Sequence, residues 1–151
     1  MNYPENPVLE FFGFGKPKSV SYNQICMLSS NALVSFLKSC INCVNKFKRP
    51  DEDDWETSWY EYCIEVAYPL QKKLASEFLS VGFPKQVIKL VEYDIFYLFR
   101  DNLKYLMLGS IKEDLMALKK SILKYNNKPY QIFDKSALKQ ELSKYNVELI
   151  D

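Results

Sequence analysis

Histidine is missing from this chain of 151 residues. Imidazole is the side chain that titrates near neutrality, and it is the usual general base and a common metal ligand. Its absence excludes Ser-His-Asp and Cys-His nucleophilic sites, most zinc sites and His-based nuclease chemistry. Glycine is scarce too, at four residues, so the tight turns of a many-stranded fold have little to work with. An excess of either charge is also lacking: 20 basic and 19 acidic groups leave a net +1. That balance favours neither nucleic acid nor an anionic membrane. Residues 76–151 are only weakly basic, with twelve basic and ten acidic groups.

Residues 1–10 hold two Pro, two Glu and no apolar run of the kind a secretory signal needs. Cys26, Cys40, Cys43 and Cys63 are too sparse for a disulfide framework. A cytoplasmic location is therefore expected. Residues 25–44 carry one charge, Lys38, yet Ser29, Ser30, Asn31, Ser35, Ser39 and Asn42 interrupt them. A spanning helix wants about 20 predominantly apolar residues. This segment reads as a buried core helix, with no membrane partner.

Apolar residues make up 48% of the chain, enough for a core without metal or disulfide staples. The expected fold is all-α: one domain over 1–151, an irregular bundle of four to five helices with an extended N-terminal arm. Pro4, Pro7, Gly13, Gly15 and Pro17 make residues 1–20 that arm, docked by Phe11, Phe12 and Phe14. Helices are predicted over 21–46, 54–81, 85–108, 110–125 and 135–145. Ser21, Asp53, Ser110 and Asp134 are the expected caps. The first three have Gln24, Glu56 and Glu113 at capping-box distance.

The first helix has two adjacent apolar stripes, one through Ile25, Leu28, Ala32, Phe36, Cys40, Cys43 and Phe47, the other through Leu33, Leu37, Ile41 and Val44. Apolar over most of its circumference, it is either central or a partner face, which leaves a homodimer through it open. The second helix has a stripe through Trp55, Trp59, Tyr62, Val66, Leu70, Leu74, Phe78 and Val81, with Pro69 inside it. Pro69 predicts a kink or a break, and the unbroken stripe favours a kink. Gly82-Phe83-Pro84 is a stop. Residues 147–150 read as a short extended end.

Each chemical motif fails a specific requirement. Cys40-Ile41-Asn42-Cys43 has redox spacing, but redox pairs sit at helix N-termini and this one lies mid-helix. Gly13-Phe14-Gly15-Lys16-Pro17-Lys18-Ser19 has the wrong spacing for a phosphate loop. Taken as an EF-hand starting at Asp51, the acidic run has Glu56 where Gly is needed and Tyr62 where Glu is needed. Arg100 is followed at the spacing of the HEPN-type ribonuclease Arg-x4-His by Tyr105, so no catalytic role carries over. Glu92, Asp94 and Asp101 lack the His that a ferritin-like metal site requires. Asp94 is expected to be half-buried and bonded to a Tyr, or to line a cleft.

The reading is a non-enzymatic protein-binding module with no cofactor and no metal. Its most concrete form is a small bacterial immunity or antitoxin-like inhibitor that neutralises a toxin by direct binding. A Lys, Asn, Ile and Tyr bias fits an AT-rich mobile locus. The expected docking patch is Asp51, Glu52, Asp53, Asp54, Trp55, Glu56 and Trp59, where acids flank aromatic anchors. The alternative is a nucleic-acid-associated small helical subunit of a larger complex, using Lys112, Lys119, Lys120 and Lys124.

Overall fold

The computed structural model describes residues 18–47, 55–106 and 110–151, with the side chains of 45–47 and 55–58 left out. In chain order the elements are β1 (Lys18–Ser21), α1 (Tyr22–Phe47), α2 (Trp55–Ser80), α3 (Lys85–Leu106), α4 (Ile111–Tyr125), α5 (Lys135–Ser143) and β2 (Val147–Ile150). The fold is all-α, and α1 is its hub, touching β1, α2, α3 and α4. By length and composition α1 passes for a membrane span over Tyr22–Val44. In this fold it is packed on several sides, and Ile25, Leu33, Phe36, Leu37 and Cys40 have no solvent exposure.

The two serines of α1 that are most costly to bury are both satisfied. Ser29 Oγ donates to Ile25 O at 2.8 Å within the helix. Ser30 Oγ donates to Tyr125 O at 2.7 Å, at the end of α4. One turn earlier the Cys26 carbonyl accepts from the Tyr130 amide at 3.2 Å. A further turn back, the Tyr22 hydroxyl donates to Phe133 O at 3.0 Å. Positions 22, 26 and 30 share one helix face, so a polar seam of α1 clasps the irregular segment 125–133.

The buried stripe of α2 is rotated from the expected one. Trp59, Cys63, Ala67, Leu74 and Phe78 are buried, whereas Tyr62, Val66 and Leu70 are only partly so. The small side chains of Cys63 and Ala67 fill the contact that larger residues were expected to make. Pro69 neither breaks the helix nor leaves the pattern: α2 is continuous from Trp55 to Ser80. Pro69 and Glu65 are both exposed, so water can satisfy the carbonyl that Pro69 leaves unbonded.

The C-terminus of α2 is a Schellman turn. Gly82 sits at φ +110°, and Phe83 N–H donates to Phe78 O at 3.0 Å. The Phe78 and Phe83 rings meet at 5.1 Å, the apolar contact that accompanies this cap. A Cβ on Gly82 would stand 3.4 Å from Val20 Cγ2 and 3.5 Å from Ser19 O.

Of the expected caps, Ser110 and Asp134 accept from the amides of Glu113 and Ala137. Ser21 accepts from Gln24 N–H at 3.1 Å, and Asp151 accepts from Asn23 N–H at 2.9 Å. Asp53 lies outside the described residues, as do Phe11, Phe12, Phe14 and residues 1–17 of the expected arm. Residues 18–20 correct the rest of that expectation: they form β1, which pairs in parallel with β2 in the register Lys18↔Val147 to Ser21↔Ile150. Val20, Val147 and Leu149 turn inward, and that burial holds the strands to the bundle.

Two substitutions test this frame. Gly82→Ala is expected to destabilise by about 1–2 kcal/mol, because an L-residue is strained in the left-handed region, and urea denaturation measures it. Burial, first, and the neighbouring Cys26 push the Tyr22 phenol up to about 12. The folded value exceeds the unfolded value of about 10. The Tyr22 contribution is therefore whole below pH 10 and is lost as pH rises through 12. Stability of Tyr22→Phe is expected to fall less steeply over that window, and denaturation series at stepped alkaline pH check it.

Candidate interaction surfaces

The expected acidic docking patch is largely beyond view. Asp51, Glu52, Asp53 and Asp54 lie outside the described residues. Trp55 and Glu56 belong to α2, with their side chains left out. Trp59 is a correction. It is 1% exposed and is the largest fully buried side chain among the described residues. Its indole N–H donates to Cys40 O at 3.3 Å. An aromatic at helical spacing serves the core here because α1 covers it. Trp59 is not available to a partner.

Lys112, Lys119, Lys120 and Lys124 are all exposed along α4. Met116 and Leu123 are exposed on the same helix. Lys124 Nζ stands 5.3 Å from the Tyr125 ring centroid. Glu113 accepts from Ser110 Oγ at 3.0 Å, which engages the acid in the helix cap.

The four cysteines are all buried. A hydrogen bond from Cys63, first, and burial push the Cys40 thiol far up, so no thiolate is available at neutral pH. Cys43 is buried on the same helix, 6% exposed. Among the described residues no group of three or more His, Cys, Asp or Glu is placed to hold a metal ion.

A surface that sequence reasoning missed lies on the outer side of α2 and α3. Tyr68 of α2 stacks on Phe96 of α3, with centroids 5.2 Å apart and planes at 21°. Phe96 meets Tyr97 edge-on at 6.1 Å, and Tyr97 meets Tyr93 edge-on at 4.5 Å. The Tyr97 hydroxyl donates to the Tyr93 hydroxyl at 2.7 Å. That hydrogen bond, first, and the repulsion between neighbouring phenolates raise the Tyr93 phenol above its ordinary range. Arg100 lies over the Tyr97 ring at 4.0 Å and pairs with Asp101 at 3.3 Å. Arg100 and Asp101 are partly exposed charges, and through the Tyr97 ring Arg100 braces the ladder. Tyr68 is 52% exposed, Tyr93 67% and the adjacent Leu90 58%, so a run of rings faces solvent. The recoverable signal was the 93, 96, 97, 100 spacing, which makes a second face beside the core stripe of α3.

The ladder runs into an open cleft of about 200 Å³, lined by Asp94, Tyr97, Asp101, Asn102, Tyr130 and Gln131 among others. Asp94 is exposed and lines this cleft, which settles its place. Asn102 forms the floor. It donates to Leu98 O at 2.7 Å and Tyr130 Oη at 3.4 Å, and accepts from Tyr125 Oη at 3.3 Å. Asp101 is already paired with Arg100, so Asp94 beside Tyr97 is the carboxylate that can receive a cationic side chain.

Protein-family models, curated proteins and solved structures were compared with the chain, and none matches.

Trp59→Ala is expected to destabilise by about 3–5 kcal/mol, the range for a buried aromatic truncated in a packed core. Chemical denaturation measures the loss; an effect below 1 kcal/mol would contradict the core role.

Proposed function

We propose that this chain is a non-enzymatic protein-binding module. In its most concrete form it is a small cytoplasmic inhibitor, of the immunity or antitoxin kind, that neutralises a toxin by direct binding. The observation that supports the reading is the ladder of Tyr68, Phe96, Tyr97 and Tyr93, in which Tyr68 and Tyr93 are exposed and Phe96 and Tyr97 half-buried. Large rings with few rotatable bonds are the side chains on which interface energy concentrates. Their mutual contacts hold them in place before any partner arrives, which lowers the entropy cost of docking. Asp94 at one end suits a partner that presents a basic residue there.

A second reading has its own observation. The four lysines of α4 are all exposed and can meet phosphates, as in a nucleic-acid-associated subunit of a larger complex.

Affinity capture from the source cells separates the two. The baits are the unaltered chain, Tyr93→Ala/Tyr97→Ala and Lys119→Glu/Lys120→Glu. Both pairs lie on the surface, and circular dichroism confirms that the variants fold. The expected result is a stoichiometric protein held by the first and third baits and lost from the second. Co-expression then tests whether the chain relieves growth arrest by that protein. Nucleic acid lost from the third bait, with affinity falling steeply with salt, would move the assignment to α4.

A further inference from the structure

Among the described residues the sheet has two strands, so each strand has one paired edge and one far edge. Beyond β1, the far edge is covered. Lys18 N–H donates to Asn146 O at 3.2 Å, which fixes the phase of the parallel ladder. Lys18 and Val20 turn their backbone groups to β2, and Ser19 turns its carbonyl outward. There the Gly82 turn closes on it, 3.5 Å from where a Gly82 Cβ would stand.

The far edge of β2 is different. The same phase directs the Asn146 carbonyl and the backbone groups of Glu148 and Ile150 to β1, and those of Val147 and Leu149 away from it. Among the described residues nothing pairs with those outward amides and carbonyls. A groove of about 310 Å³ runs beside them, lined by Lys139 and Ser143 of α5 and by Asn146, Val147, Glu148 and Leu149. An unpaired edge with side-chain room beside it is the arrangement that accepts an added strand.

Charge decides what that strand is. A second copy pairing antiparallel through both Val147 and Leu149 would be centred on residue 148. It would set the exposed Glu148 directly opposite its own counterpart, and like charges directly opposite destabilise a pair. A strand with a basic residue at that place turns repulsion into attraction. Its two neighbouring side chains share the face of Val147 and Leu149 and enter the groove beside α5.

We propose that the free edge of β2 accepts an extended segment of a partner protein as a third strand, with a Lys or Arg opposite Glu148. This site uses none of the residues of the α2–α3 ladder, so either can fail alone.

Amide exchange followed by NMR on the full chain tests it in two stages. In the free chain, the Val147 and Leu149 amides are expected to exchange rapidly while those of Glu148 and Ile150 are protected. Protection of all four would overturn the proposal, since the edge would already be covered by this chain or, if protection grew with concentration, by a second copy. The probe is then a short acetylated peptide of alternating valine and threonine with a central lysine. Added in excess, it is expected to shift and protect Val147 and Leu149. The glutamate-centred analogue should bind about two- to fivefold more weakly, the range for one cross-strand charge pair. Glu148→Lys, a change at an exposed position, should reverse that preference, and N-methylation of the peptide backbone should abolish binding. No binding by the lysine peptide, binding indifferent to N-methylation, or shifts confined to other residues would each overturn it.

Discussion

The polar seam of α1 is the constraint on which the rest of the fold depends. A helix this apolar needs other elements around it, and a purely greasy cylinder would accept them in many arrangements. Tyr22, the Cys26 carbonyl and Ser30 remove that freedom. Each holds one point of the 125–133 segment by a directional bond. An unmet polar group at such a buried place costs about 1–3 kcal/mol, so the segment has one favourable seat. The seat carries consequences outward. It places the end of α4 against α1, sets Tyr125 and Tyr130 edge-on at 5.2 Å, and brings both within reach of Asn102 on α3. The floor of the Asp94 cleft is therefore built from α1 outward.

A second closure ties the ends of the described chain together. β1 and β2 are more than a hundred residues apart in sequence, yet they pair in register, and the Asp151 carboxylate accepts from Ser21 Oγ and the Asn23 amide. The first turn of α1 is thereby capped from two sides. Four-residue strands have little stability by themselves. They persist because Val20, Val147 and Leu149 drop into the same core as Phe78, Phe83 and Leu142. Gly82 is what allows α2 to turn so near β1. The same compactness leaves β2 as an outer strand, with one side of its backbone facing α5 and the groove.

The surfaces divide by how their side chains are held. The α2–α3 ladder is organised by ring contacts and by Arg100, so its aromatic area is presented with little freedom to lose. The α4 lysines are exposed, and among the described residues Lys124 alone of them has a ring beside it. The ladder is thus prepared for a shaped partner, whereas the lysine face is prepared only for a diffuse anionic one.

Helix count, helix type and caps were decided locally, and local rules suffice to read them. Ser110 with Glu113, and Asp134 before Lys135, satisfy orphan amides within one turn, so no distant residue is needed to recognise them. The helical spacing of Ile88, Val91, Ile95, Leu98, Phe99, Leu103 and Leu106 marks the inner side of α3; the first six are buried and Leu106 is partly so. Which aromatic rings face water could not be read in that way. Trp59 and Tyr93 both stand on helices beside apolar residues; α1 covers the first, and among the described residues nothing covers the second. Likewise, residues 18–20 carry no alternation long enough to declare a strand, because their partner lies at the other end of the chain. Burial on a second face, pairing across long separations and the rotation of α2 onto Cys63 and Ala67 depend on how whole elements fit together. Composition and spacing therefore determined that this chain is a helical bundle lacking histidine chemistry. Tertiary packing alone decided which of its rings and backbone edges remain free to meet another molecule.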